Sequence, residues 1–157
     1  VPIVVGAILF GPGAGAGLGA VFGVVCLIAG ITGADEFTNV LWVASPFWLV
    51  VVCVGKAVLC GLCAGLVAKA LRQRQTISCI LAALTAPVVN TGVFLLGCRI
   101  FFLPMLADMA QNLGFGDNVG RFMIIGLVGV NFLAELGINI VLSPVILRLI
   151  RIGRKEN

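Results

Sequence analysis

Long apolar runs constrain this chain more than any other feature of its sequence. An α-helix that crosses the hydrocarbon core of a bilayer needs about 20 consecutive, mainly apolar residues. Runs of this kind recur along the 157 residues, of which 61% are hydrophobic and 10% charged. A soluble domain carries roughly 25% charged residues, so this chain could not cover its surface with polar groups in water. The sequence therefore predicts an all-α membrane protein that crosses the bilayer several times.

Turn signals and polar links divide the chain, treated as one transmembrane domain over residues 1–157, into five apolar segments. The predicted spans cover residues 1–10, 14–31, 47–71, 77–103 and 121–150. We predict loops at 32–45 and 104–120, the second with a short amphipathic helix. Segment 1–10 is too short to cross a bilayer. We therefore expect it to be the end of a helix, with a further helix before it and a six-helix bundle in the intact protein.

The distribution of charge predicts the orientation of the spans. Basic residues cluster at the 72–76 link and in the C-terminal tail: Lys69, Arg72, Arg74, Arg148, Arg151, Arg154 and Lys155. The links at 32–45 and 104–120 carry acidic residues instead: Asp35, Glu36, Asp108 and Asp117. Basic loops stay on the cytoplasmic side. We expect a multi-pass cell-membrane protein with both ends of the intact chain in the cytoplasm, and no nucleic-acid partner.

Three polar residues follow one another at steps of four in the last span: Asn131, Glu135 and Asn139. This spacing places them on one helix face, with a drift of about 40° per step. A lone ionised carboxylate at the depth of Glu135 is disfavoured, so it is paired, protonated or hydrated. The stripe therefore predicts either interhelical hydrogen bonds that hold the bundle together or the lining of a ligand pocket.

A second polar group surrounds Pro87 in the preceding span. A proline inside a helix frees a backbone carbonyl one turn earlier, and Asn90 or Thr91 could satisfy it. The alternative is that the kink opens a cavity into which Asn90 points. Both interpretations remain open at the level of sequence.

Lys56 and Arg99 are the two cations that lie away from the ends of their segments. On the predicted topology both lie in the outer halves of their spans. They could extend their side chains to the outer interface, or line an outward-facing pocket that attracts an anion. Trp42, in the outer link 32–45, is a possible lid over such a pocket.

Glycines recur every four residues at Gly11, Gly15, Gly19 and Gly23. Small residues at this spacing let helices approach closely in lipid, which predicts either packing inside the bundle or docking of another membrane subunit. The pair Cys60 and Cys63 has the spacing of redox and zinc sites. Because the chain contains no His and no second such pair, we interpret these cysteines as small buried residues.

Motifs of known enzymes are missing from the sequence: no nucleotide-binding loop, no HExxH and no GxSxG occurs. An intramembrane enzyme would depend on Glu135 alone. We therefore predict a non-enzymatic protein without a metal or another cofactor.

Four stretches together resemble the substrate-binding S components of energy-coupling factor (ECF) vitamin transporters. Residues 2–16 (PIVVGAILFGPGAGA) resemble the turn between their second and third helices. Residues 45–47 (SPF), Lys56 and residues 61–66 (GLCAGL) are similar to their fourth helix. Residues 86–97 (APVVNTGVFLLG) are similar to the fifth, and residues 131–139 (NFLAELGIN) with 142–146 (LSPVI) to the sixth. The order and spacing of these stretches, more than any one of them, carry the resemblance.

The resemblance implies a six-helix bundle that binds a small vitamin near its outer side. It also implies a transmembrane T component and two cytoplasmic ATPases as partners. The NTGVF stretch is most similar to pantothenate-type members, and Lys56 with Arg99 would suit a carboxylate; riboflavin-type and other members remain alternatives. A self-sufficient channel or secondary carrier is the competing function. The candidate binding residues are Asn90, Thr91, Arg99, Asn131, Glu135, Asn139, Lys56 and Trp42.

Overall fold

The computed structural model describes residues 2–129, 132–133, 136–138, 140–142, 144–145 and 148. The described residues form helices and turns, with no strand among them. Between Pro2 and Val128, seven α-helices and one π-helical segment follow one another: α1 (Pro2–Phe10), α2 (Pro12–Ile31), α3 (Glu36–Ala44), α4 (Pro46–Ala70), α5 (Gln75–Phe101), α6 (Leu103–Asn112), α7 (Val119–Arg121) and the π-helix Phe122–Val128. The prediction of an all-α chain is confirmed for this part of the protein.

Three of these helices are long and apolar enough to cross a membrane. They cover Pro12–Ile31, Pro46–Ala70 and Thr76–Phe101, with mean hydropathies of 2.2, 2.4 and 2.0. Proline occupies the first turn of α2 and of α4, where its missing N–H breaks no helical hydrogen bond. The chain is thus a multi-span helical membrane protein by the length and composition of its helices.

Helices α2 and α4 pack against each other through glycine. Gly15 faces Gly61, and a Cβ atom on Gly15 would lie 2.5 Å from the carbonyl oxygen of Gly61. Gly23 faces Cys53 in the same way, at 2.9 Å from its carbonyl oxygen. Residue numbers fall along α4 as they rise along α2, so the two helices are antiparallel. The buried glycines of α2 therefore serve packing inside the bundle, the first of the two interpretations.

The end of the bundle that carries the 72–76 link has a core of small residues from α1, α4 and α5. It consists of Val4, Ala7, Cys60, Ala64, Ala68, Cys79, Ala82, Ala83 and Ala86. Cys60 is 5% exposed and belongs to this core. Among the described residues no group of three or more His, Cys, Asp and Glu side chains could hold a metal ion. Cys60 is thus a small buried residue, as expected, whereas Cys63 is partly exposed.

The loop predicted at 32–45 is wrong for residues 36–44, which form helix α3. Asp35 caps this helix, since its Oδ1 accepts a hydrogen bond from the backbone N–H of Thr38 at 3.2 Å. Thr38 and Leu41 are buried, and the Asn39 side chain donates to the carbonyl of Gly30 on α2 at 2.8 Å. The cap and the buried face together hold a helix that is too short to form alone.

Helix α6 begins at Leu103, the last residue of the predicted span 77–103, and extends into the link 104–120. Its buried residues are Leu106 and Ala110, one turn apart on the same face, as the amphipathic pattern predicts. They join Leu41, Leu49 and Phe102 in a second core at the end of the bundle opposite to the 72–76 link. Helices α3 and α6 thus close the end opposite to the 72–76 link.

Aromatic rings lie on the outer surface of the bundle at the end closed by α3 and α6. The Trp48 and Phe101 rings stack with centroids 4.0 Å apart and an angle of 12° between their planes. Phe47 packs edge-on against Trp48, and Phe47 is 68% exposed. Tryptophan and other aromatic residues favour the interface between lipid and water. This position agrees with a membrane boundary near the start of α4 and the end of α5.

Candidate functional site

A cavity of about 370 Å³ lies between α3, α4, α5 and the chain after α7. Its polar lining comprises Asp35, Thr38, Lys56, Asn90 and Thr91. Its apolar lining comprises Phe37, Phe94, Gly126, Val128 and Phe132. Three residues that the sequence singled out, Lys56, Asn90 and Thr91, are thus brought together from two helices.

The depth of the cavity follows from the positions of its residues along the helices. Lys56 comes ten residues after Pro46, the first residue of α4, which is about 15 Å along a helix. Asn90 comes eleven residues before Phe101, the last residue of α5, or about 16 Å. Since the hydrocarbon core is about 30 Å thick, both lie near mid-membrane. Asp35 precedes α3, so the cavity extends from there towards the end closed by α3 and α6.

The Lys56 ammonium rests against an aromatic wall. Its Nζ lies 4.3 Å from the centroid of the Phe94 ring, within the range of a cation–π interaction. The Phe37 ring meets Phe94 edge to face, with centroids 6.1 Å apart. The ring quadrupole holds the cation in place without accepting a conventional hydrogen bond. Lys56 can therefore donate hydrogen bonds to an anionic group in the cavity.

The Asp35 carboxylate lies in the same lining but is engaged by helix α3. Besides the cap described above, its Oδ2 accepts a hydrogen bond from the Thr38 hydroxyl at 2.6 Å. Both carboxylate oxygens thus hold the start of α3. This arrangement assigns Asp35 to positioning α3, while its negative charge remains part of the lining that also contains Lys56.

Asn90 contributes an acceptor without a partner. Its Oδ1 is buried and accepts no hydrogen bond within the part of the chain that the structure describes. A buried polar atom without a partner costs about 1–3 kcal/mol. A donor from a bound molecule or from water would remove this cost. Asn90 and Thr91 are neighbours on α5, so the cavity offers an amide and a hydroxyl beside the cation.

Pro87 lies within α5, and the helix continues through it. The Thr85 hydroxyl donates to the carbonyl of Leu81 at 2.7 Å, and Pro87 is fully buried. Asn90 and Thr91 line the cavity, and the buried Oδ1 of Asn90 accepts no hydrogen bond among the described residues. The geometry thus supports the second sequence interpretation, in which Asn90 points into a cavity.

Two predicted site residues lie away from the cavity. Arg99 is exposed in the last turn of α5. Trp42 is partly buried and packs against the core formed by Leu41, Leu49 and Phe102. Neither residue belongs to the cavity lining. The stripe Asn131, Glu135 and Asn139 lies outside the described residues.

The aromatic part of the site, Phe37 and Phe94, was not predicted from the sequence. Phe94 follows Asn90 by four residues, so the two share a face of α5. That spacing could have indicated Phe94, although ten Phe residues in an apolar chain give little contrast. Phe37 could not be placed because its segment was predicted as a loop. The π-helix that supplies Gly126 and Val128 has no distinctive sequence signal; such segments are frequent at functional sites.

Comparison with protein-family models, curated proteins and solved structures finds no match to this chain. The lining of the cavity indicates which molecules it could bind. Its chemistry is one cation, the Asp35 carboxylate at the start of α3, an amide, hydroxyl groups and aromatic faces in a space of about 370 Å³. Such a set can bind a small organic molecule that carries a negative group, a hydrogen-bond donor and an apolar part.

Proposed function

We propose that the chain is the membrane-embedded substrate-binding subunit of an ATP-driven vitamin transporter of the ECF type, with pantothenate as its ligand. The observation that carries this proposal is the cavity that places Lys56 and Asn90 together near mid-membrane. Ligand sites are concave, mostly apolar and contain a few convergent polar groups. Intramembrane cations are costly, and they commonly face a water-filled cavity or a substrate pathway.

The ligand chemistry follows from the lining. A carboxylate would bind the Lys56 ammonium, and an N–H or O–H group would donate to Asn90 Oδ1. An apolar part would contact the Phe37 and Phe94 rings, which already pack against each other. Pantothenate carries all of these groups. Riboflavin or another vitamin is the alternative substrate and would make greater use of the aromatic wall.

The packing of the other half of the bundle favours a binding site over a channel. Small apolar residues of α1, α4 and α5 fill the space towards the 72–76 link, with Ala64 and Ala82 fully buried. A self-sufficient channel would need a polar path through this region. Within the described residues the polar lining instead ends at Asn90 and Thr91.

The proposed assembly supplies the energy that this chain does not provide. In it, a transmembrane T component and two cytoplasmic ATPases act on a six-helix bundle with both ends inside a prokaryotic plasma membrane. This chain binds the vitamin and hydrolyses no ATP. The proposal assigns it no catalytic residue and no cofactor.

Isothermal titration of the purified chain against a panel of vitamins tests the function. We expect pantothenate to bind tightly without ATP and without partner proteins. Native mass spectrometry after gentle purification would identify a ligand that the protein retains from the cell. Absence of binding to every vitamin would overturn the proposal. Solute flux into liposomes that contain this chain alone would show that it is a carrier or channel.

A further inference from the structure

A second cavity lies at the opposite end of the bundle, where α1, α2 and α4 meet the 72–76 link. It measures about 640 Å³. Ile8, Leu9 and Pro12 form an apolar wall, and Lys69 and Arg72 form a basic rim. We name this space the basic cleft. It shares no lining residue with the cavity around Lys56.

The wall of the basic cleft is fixed by tight backbone packing. Gly11 has φ of +91°, a conformation that glycine adopts without strain, and this turn sends α2 back along α1. Pro12 then packs on α4, since a Cβ atom on Gly65 would lie 2.5 Å from the Pro12 Cα. The cleft is therefore a preformed space between helices.

The charged side chains that the structure describes at this end of the molecule are all basic. Lys69 and Arg72 are exposed, and Arg74 follows two residues later. The acidic side chains that the structure describes lie at or beyond the far ends of α2 and α5, namely Asp35, Glu36, Asp108 and Asp117. An anion at the rim would therefore meet two cations and no nearby carboxylate of the described chain.

The apolar wall continues onto the lipid-facing surface. Phe10, at the end of α1, is 72% exposed, and Ile8 and Leu9 lie directly before it. A molecule that covers the wall and reaches the rim must combine an apolar chain with an anionic head. Lys69 and Arg72 lie at the end of a membrane-spanning helix, which is the level of the lipid headgroups.

We propose that the basic cleft binds an anionic phospholipid of the surrounding leaflet. The headgroup phosphate lies between Lys69 and Arg72, where the guanidinium can donate two parallel hydrogen bonds to its oxygens. One acyl chain lies along Ile8 and Leu9. Basic pockets between transmembrane helices bind anionic lipids in this way. The site depends on membrane insertion and is independent of the vitamin proposal.

Native mass spectrometry of the full chain in detergent tests the site. The probes are palmitoyl-oleoyl phosphatidylglycerol and palmitoyl-oleoyl phosphatidylcholine, which share their acyl chains and differ in net charge. We expect phosphatidylglycerol adducts to survive at detergent concentrations that strip phosphatidylcholine. Lys69→Gln and Arg72→Gln should each weaken phosphatidylglycerol binding about fivefold.

Arg74→Gln is the matched control, because Arg74 belongs to the same link but does not line the basic cleft. It should leave the affinity within about twofold of the native chain, as expected for a screened surface charge. Inorganic phosphate and glycerophosphoglycerol form a further arm, and neither should displace the lipid, since both lack the acyl chain.

Several results would overturn the lipid site. Equal retention of the two lipids would show that charge plays no part. An equal loss of phosphatidylglycerol affinity in Arg72→Gln and Arg74→Gln would show that the lipid responds to the overall charge of the link and not to the basic cleft. Displacement of the lipid by inorganic phosphate would show that the basic rim binds phosphate without any contribution from the acyl chain. Absence of any lipid adduct would indicate that a protein segment covers the cleft. Melting temperatures measured beside each titration separate these results from misfolding.

Discussion

At the scale of single residues, the sequence made both Lys56 and Arg99 candidates for binding an anionic ligand, and the structure places only Lys56 in the cavity. Lys56 lies in the cavity against Phe94, whereas Arg99 is exposed at the end of α5. Lys56→Gln should weaken binding of a carboxylate ligand by about 10- to 100-fold, the value of a hydrogen bond to a charged group. Isothermal titration of the variant measures this loss. Arg99→Gln is the control, and a comparable loss there would contradict the assignment.

Substitution of Asn90 should change both the melting temperature of the free protein and its affinity for a ligand. Asn90→Leu removes the buried acceptor that has no partner among the described residues and keeps a similar volume. The free protein should melt at the same or a higher temperature, because the cost of an unsatisfied polar atom disappears. The rise in melting temperature that a ligand produces should be lost. A large drop in the melting temperature of the free variant would show that Asn90 holds the fold together.

These residues also show what the sequence could reveal about the site. The sequence indicated Lys56, Asn90 and Thr91 because a polar side chain is conspicuous in an apolar run. Its burial in a membrane is costly, so it indicates a function or a polar partner. Phe37 and Phe94 do not stand out, since phenylalanine is expected in any membrane helix. Only tertiary packing distinguishes an aromatic ring beside a cation from one that faces lipid.

At the scale of the helices, contact between α2 and α4 depends on individual glycines. A Cβ atom on Gly19 would overlap the carbonyl oxygen of Ala57, whereas one on Gly17 would meet no heavy atom within 4 Å. Gly19→Ala should destabilise the protein by about 1–3 kcal/mol, the usual cost of overpacking. Unfolding of the purified protein by denaturant measures this difference.

Gly17→Ala is the matched control for that substitution, since it makes the same chemical change on the other face of α2. It should leave stability unchanged or raise it by up to about 1 kcal/mol, the difference in helix propensity between glycine and alanine. If both variants lost stability equally, the glycines would serve chain flexibility and not close packing.

Helix α3 shows the limit of sequence patterns for short elements. The long helices were recognisable because hydrophobic length alone specifies them. Over the nine residues of α3, polar and apolar residues mix as they do in a loop. Its helical state depends on the Asp35 cap and on Thr38 and Leu41 packing into the bundle. Because the packing is tertiary, a local pattern could not predict it.

At the scale of the whole molecule, the ends of the bundle differ in chemistry. One end carries the 72–76 link with Lys69, Arg72 and Arg74 beside a core of small residues. The other carries α3 and α6 over a core of larger side chains. The ligand cavity extends towards the second end and the basic cleft lies at the first. The positive-inside rule would place the cavity mouth outside the cell and the basic cleft at the inner leaflet.

Cysteine labelling in intact cells checks this orientation. We expect Gln73→Cys, in the basic link, to react with a membrane-impermeant maleimide only after the membrane is permeabilised. Asn112→Cys, exposed at the end of α6, should react in intact cells. The native chain is the control, because its six cysteines all lie within apolar helices, where the charged reagent does not enter. Labelling of both positions from one side would contradict antiparallel spans across a bilayer. Reversed labelling would place the cavity mouth in the cytoplasm, where an uptake protein could not collect its ligand.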